Sequence, residues 1–195
     1  MTKKEIIWRD ILYRAIEKKE TKFRQKDLAV KFGFSLSTVF NALKAPRSAG
    51  AIEVTGRGFR VIDSEKFLYL WATQRNMEKE IIYKTYIPKS PAKIEGEMPN
   101  GVIFSGCSAY IMKYQNAPAD YAKVYVYAEG DDLEKIKNRF SKNKSEPNLF
   151  VLKSDAYLQK FGVLAPDIQI FVDLWNMKDW YAKDFIKALK DKLFL

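Results

Sequence analysis

Ser37, Thr38, Asn41 and Lys44 lie at steps of one, three and three residues, and Arg47 follows three residues later. These groups suit the edge of double-helical DNA. An asparagine amide meets adenine through two hydrogen bonds, serine and threonine hydroxyls meet bases or phosphates, and Lys44 and Arg47 neutralise flanking phosphates. Arg57, set between Gly56 and Gly58, suits a narrow minor groove, where the negative potential is enhanced. Gln25, Lys26 and Ser35 complete the DNA-binding candidates.

Catalytic chemistry has less to work with. The 195 residues contain no histidine and one cysteine, Cys107. That removes the Ser-His-Asp and Cys-His nucleophiles, imidazole zinc ligands, Cys₄ sites and any internal disulfide. Ser105-Gly106-Cys107-Ser108 at an expected strand-to-helix junction invites comparison with the phosphate-holding turn of nucleotidyltransferases. Such enzymes need paired carboxylates for metal, and here Asp120 is followed by Tyr121 and Ala122, so only the first acid of a pair is present. A Pro-Asp nuclease pattern beginning at Pro166-Asp167 fails as well, because Trp175 stands where a lysine should. Neither a catalytic site nor a metal or cofactor is expected. The enzyme alternative, a divergent nucleotidyltransferase or nuclease on a DNA-binding domain, would have to use Asp120, Glu129 and Asp173. For Asp173, pairing with Arg139 or a helix N-terminus is the simpler expectation.

The elements that must position the DNA-facing groups are legible in the apolar spacing. Residues 6–18 carry Ile6, Ile7, Ile11, Leu12, Ala15 and Ile16 as one helical stripe. A second helix covers Gln25 to Phe32 and ends at Gly33. A third follows Ser35 as N-cap, with Leu36, Val39, Ala42 and Leu43 inward and Ser37, Thr38, Asn41 and Lys44 outward. Helix, glycine turn and capped helix make a helix-turn-helix. Residues 51–54 and 59–62 read as two short strands around Thr55-Gly56-Arg57-Gly58, which looks like the wing of a winged helix. Ser64 is expected to cap a connecting helix over residues 65–75.

Charge agrees with this reading. The chain holds 34 basic and 24 acidic residues, a net +10; residues 1–75 hold 16 and 8 of them, and so +8 of the surplus. A compact positive segment attracts polyanions and releases their condensed counterions. No apolar run approaches the roughly 18 residues of a membrane helix, and the first twenty residues lack a signal-peptide core. A soluble, cytoplasmic protein is expected.

Residues 76–100, with Pro88, Pro91 and Pro99, are expected to form a linker or domain entry. Residues 101–195 then alternate strand-like and helix-like pieces. Strands are expected at 102–104, 122–128, 148–153 and 168–174, and helices at 105–114, 131–140, 155–161 and 179–193. The fold expected is α+β / α/β, a winged helix-turn-helix domain over 1–75 followed by a small α/β domain. Tyr125 and Tyr127 raise RNA stacking as a third possibility, although strand tyrosines more often pack in a core.

Gln25 to Ala29, Gly33, Ser35, Ser37-Thr38-Val39 and Ala42-Leu43-Lys44 resemble bacterial and archaeal winged-helix regulators, with Arg24 where many of them carry a capping Ser or Thr. Together with residues 98–110 and the ending Ile170 to Trp175, the chain resembles the AbiEi family of antitoxin-regulators from type IV toxin–antitoxin systems. The resemblance implies a repressor that binds repeats in its own promoter. It also implies a C-terminal domain that opposes a nucleotidyltransferase-like toxin without a stable complex. Ser37, Thr38, Asn41 and Arg57 carry over as DNA-reading positions, and no catalytic residue does. Palindromic operators would bring two copies onto DNA, as a dimer or as monomers assembling there.

Overall fold

The computed structural model describes residues 1–56 and 58–194. The chain is a mixed α+β protein with two sheets, divided into two compact units. The first comprises residues 1–75 with the end of the chain from Lys192, and the second residues 76–191. Among the described residues, no helix is long and apolar enough to cross a membrane.

In the first unit, α1 (Lys3–Leu12) begins in a capping box. The Thr2 hydroxyl accepts from the Glu5 N–H while the Glu5 carboxylate accepts from the Thr2 N–H. One π-helical turn, Tyr13–Glu17, continues it. Strand β1 (Lys22–Phe23), helix α2 (Gln25–Phe32) and helix α3 (Leu36–Ser48) follow. Gly33 closes α2 in the left-handed conformation, φ 63°, which lets the chain reverse sharply into α3. The Ser35 hydroxyl then caps α3 by accepting from the Thr38 N–H. Helix α3 packs on α1 and α2 through Val39, Ala42 and Leu43, all buried. Leu36, expected on that inward face, is instead exposed, because it lies at the edge of the apolar arc.

Strands β2 (Ile52–Thr55) and β3 (Gly58–Val61) pair antiparallel, and β1 adds to the other side of β3, giving the order β1-β3-β2. Phe23 and Phe59 stack at 5.3 Å across that pair. Gly58 is required by close approach, since a Cβ there would run into the Phe23 carbonyl. Helix α4 (Ser64–Gln74) completes the unit. Its N-cap is Asp63, whose carboxylate accepts from the Lys66 N–H, rather than Ser64.

The second unit corrects several expectations. Of the two readings of residues 76–100, a linker or the entry to a domain, the segment fits the second: it carries β4 (Ile81–Thr85), an edge strand of the second sheet, and α5 (Pro91–Gly96), where Pro91 takes the first helical turn. After β5 (Ile103–Ser105), α6 (Gly106–Tyr114), β6 (Val124–Ala128), α7 (Gly130–Arg139) and β7 (Leu149–Lys153) comes α8 (Asp167–Asn176). Residues 168–174 thus form a helix and not the expected strand. Every residue of α8 from Asp167 to Leu174 is buried, and a helix enclosed on all sides loses the 3.6-residue apolar rhythm that would betray it. Residues 155–161 form turns around the Asp155 carboxylate and a short 3-10 turn rather than a regular helix. The sheet runs β4-β7-β6-β5, with β6 and β7 parallel across the α7 crossover and both outer pairs antiparallel. The sheet is therefore mixed. Helix α6 packs on α8 and on β5 and β6, and α9 (Ala182–Phe194) sets Phe185 edge-on against Tyr110 at 5.4 Å.

Candidate nucleic-acid interface

The turn between α2 and α3 fixes how α3 presents its front. Ser35 Oγ lies 2.9 Å from both Ser37 Oγ and Thr38 Oγ1, so three hydroxyls share one small cluster around the cap. Ser37 is exposed and Thr38 half-buried. Behind them, Asn41, Lys44 and Arg47 are all exposed. Among the described residues, Asn41 and Arg47 are held in no side-chain hydrogen bond or ion pair. Lys44 extends over the Phe40 ring, 5.4 Å from its centroid. At the front of α2, Lys26 is exposed and Gln25 half-buried. Arg57 lies outside the described residues.

The middle of α3 is held from behind by an unusual bond. Pro46 sits inside the helix and has no N–H to give the carbonyl four residues earlier. The Trp8 indole N–H of α1 fills the gap, donating to the Ala42 carbonyl at 2.7 Å with both groups buried. The exposed face of α3 is therefore carried on an element anchored to α1 by a buried hydrogen bond as well as by apolar packing.

Further basic groups, which sequence reasoning had not gathered, line a groove of about 560 Å³ on the first unit, among them Arg14, Lys22, Arg24 and Arg60. Arg14 is fixed by Glu20 at 2.9 Å and lies over the Phe23 ring, and Arg60 pairs across the sheet with Glu53 at 3.0 Å. Arg24 precedes α2 in an extended conformation without a side-chain cap bond. The alternation of β3, with Phe59 and Val61 in and Arg60 out, was the available signal for Arg60.

The carboxylates of the enzyme alternative are not assembled. Asp120 is exposed in the loop before β6, and Glu129 accepts from the Gln159 amide. Asp173, fully buried on α8, accepts from Ser105 Oγ at 2.7 Å, Tyr127 OH at 2.6 Å and Gln169 Nε2 at 3.0 Å. It does not pair with Arg139, which donates to the Glu97 carbonyl. Ser105, one of the donors to Asp173, is the N-cap residue of α6. Among the described residues, no group of three or more His, Cys, Asp or Glu side chains is placed to hold a metal ion. Burial, reinforced by Asp179, pushes the Cys107 thiol up, away from the reactive thiolate. Tyr125 and Tyr127 are enclosed in the sheet, Tyr125 stacked on Phe150 at 4.7 Å, so neither offers a face to a base.

No protein-family model matches the chain, and neither a curated protein nor a solved structure does.

Proposed function

We propose that residues 1–75 are a winged helix-turn-helix that binds double-stranded DNA sequence-specifically, and that the protein is a transcriptional repressor. The observation that carries this is the exposed face of α3, along which Ser37, Asn41, Lys44 and Arg47 are all open to solvent, in the part of the chain that holds +8 of the +10 surplus. Two helices joined at Gly33 and accompanied by a three-stranded sheet support the winged form. In this reading Asn41 reads adenine and Lys26, Lys44 and Arg47 hold phosphates. Arg57, which stands between Gly56 and Gly58 in the sequence, is the residue for the minor groove. The AbiEi resemblance extends the reading to an autoregulating antitoxin that opposes a nucleotidyltransferase-like toxin, which a toxin gene beside this one and rescue of growth on co-expression would support.

Selection of duplexes from a random library, followed by fluorescence anisotropy at stated salt, tests the DNA reading. An enriched motif is expected. Asn41→Ala should cost about 1–3 kcal/mol on that motif, whereas Arg47→Ala should weaken all sequences alike. If no motif is enriched, or both variants bind the motif as the parent does, the reading is wrong.

A further inference from the structure

Two large apolar side chains stand in water at the front of the helix that this reading sends into the major groove. Leu36 is 56% and Phe40 48% exposed, while Val39, Ala42 and Leu43 on the adjoining arc are buried. At 100° per residue, Leu36, Phe40, Lys44, Ser37 and Asn41 fall within an arc of about 140°. Leu36 and Phe40 form one ridge along the helix, and Ser37 and Asn41 form the ridge beside it. An apolar ridge next to an adenine-reading amide, flanked by Lys44 and Arg47, has a chemical counterpart in DNA. The only apolar group on the major-groove edge of a base pair is the thymine C5-methyl.

We infer that Leu36 and Phe40 bind thymine methyl groups, and that the protein therefore selects duplexes carrying thymine at or beside the adenine–thymine pair read by Asn41. The inference rests on the DNA-binding reading above and adds the base class that the apolar ridge recognises. Charge fixes the choice of occupant. A face whose apolar ridge is bordered by exposed Lys44 and Arg47 complements a polyanion with methyl groups on its edge. It repels a second copy of the same basic face. The same contact gives a reason for preferring DNA over RNA, because uracil lacks the methyl group.

Replacing each thymine of the selected motif in turn by deoxyuridine removes one methyl and leaves every hydrogen bond and phosphate in place. The protein is untouched, so a folding defect cannot imitate the result. Loss of one methyl contact should weaken wild-type binding about fourfold at one or two positions next to the adenine. Phe40→Ala or Leu36→Ala should bind the thymine duplex that much more weakly and show no further loss at the matching deoxyuridine. An enriched motif that tolerates every deoxyuridine overturns this inference and leaves DNA binding standing. So does a deoxyuridine loss that persists in both variants, or one accompanied by conversion of a solution dimer to a monomer in the variants. Absence of any motif overturns the DNA reading and this inference with it.

Discussion

Trp8, Ala42 and Pro46 show how a residue distant in the chain completes a helix that a proline has interrupted. The proline withdraws a helix donor, and the indole of α1 replaces it at 2.7 Å. Trp8→Phe leaves the Ala42 carbonyl buried and unpaired, a loss of about 1–3 kcal/mol. In a Pro46→Ala background the helix supplies its own N–H to that carbonyl, and the same Trp8 change should cost about 1 kcal/mol less. A urea-denaturation double-mutant cycle measures the difference; strictly additive costs would mean that Trp8 contributes by volume alone. Nothing in the sequence around Trp8 announces this partner, since the bond joins positions 34 residues apart. Asn41, Lys44 and Arg47 were legible because a helix in contact on one side turns its polar residues outward at a fixed angle. Leu36 was not, because periodicity places it beside Leu43 at the rim of the apolar arc, where the neighbours and not the angle decide exposure. Asp173 was hidden for a related reason. Its donors Ser105 and Tyr127 come from two other elements, and only Gln169, four residues back on the same helix, could have been read from spacing.

At the scale of elements, the ends of helices carried most of the readable signal. Gly33 and Ser35 fix the α2–α3 turn as their types suggest, and Thr2-Lys3-Lys4-Glu5 is a capping-box pattern that starts α1 earlier than its apolar stripe does. Helix α8 was unreadable because burial on every side erases the contrast that periodicity needs. Glu5 also ties two elements together. It meets Arg75, at the end of α4, at 3.2 Å with both residues buried. Burial alone would push the Glu5 carboxyl up. The Thr2 N–H and hydroxyl and the Arg75 guanidinium outweigh it and hold the group below the ordinary carboxylate range. A carboxyl depressed in the folded state contributes stability that is present above its unfolded value and is lost as pH falls through the folded one. Glu5→Gln should therefore lower the urea midpoint at neutral pH, and the gap from wild type should close progressively below about pH 4.3. A gap that stays constant down the acid limb would show that the carboxylate charge is not what stabilises this junction.

For the whole molecule, the charge partition is the property that sequence conveyed most directly, because a sum over residues needs no coordinates. The 120 residues after Arg75 hold 18 basic and 16 acidic groups, a surplus of two. If phosphate attraction comes from the first unit, the salt dependence of DNA binding must be sensitive to basic residues there and insensitive to those elsewhere. Each neutralised phosphate contributes about −0.9 to the slope of log K against log salt on duplex DNA. Lys26→Ala combined with Arg47→Ala should make that slope shallower by about two. Lys142 and Lys144 supply the contrast. Both are exposed in the loop between α7 and β7, and removing both lowers the net charge of the chain by the same two units. Their joint change to alanine should leave slope and affinity where they were. Anisotropy titrations of the three proteins across a salt series separate the two cases. Equal slopes for both double variants would mean that the net charge of the chain, and not the surface beside α3, governs the encounter with DNA.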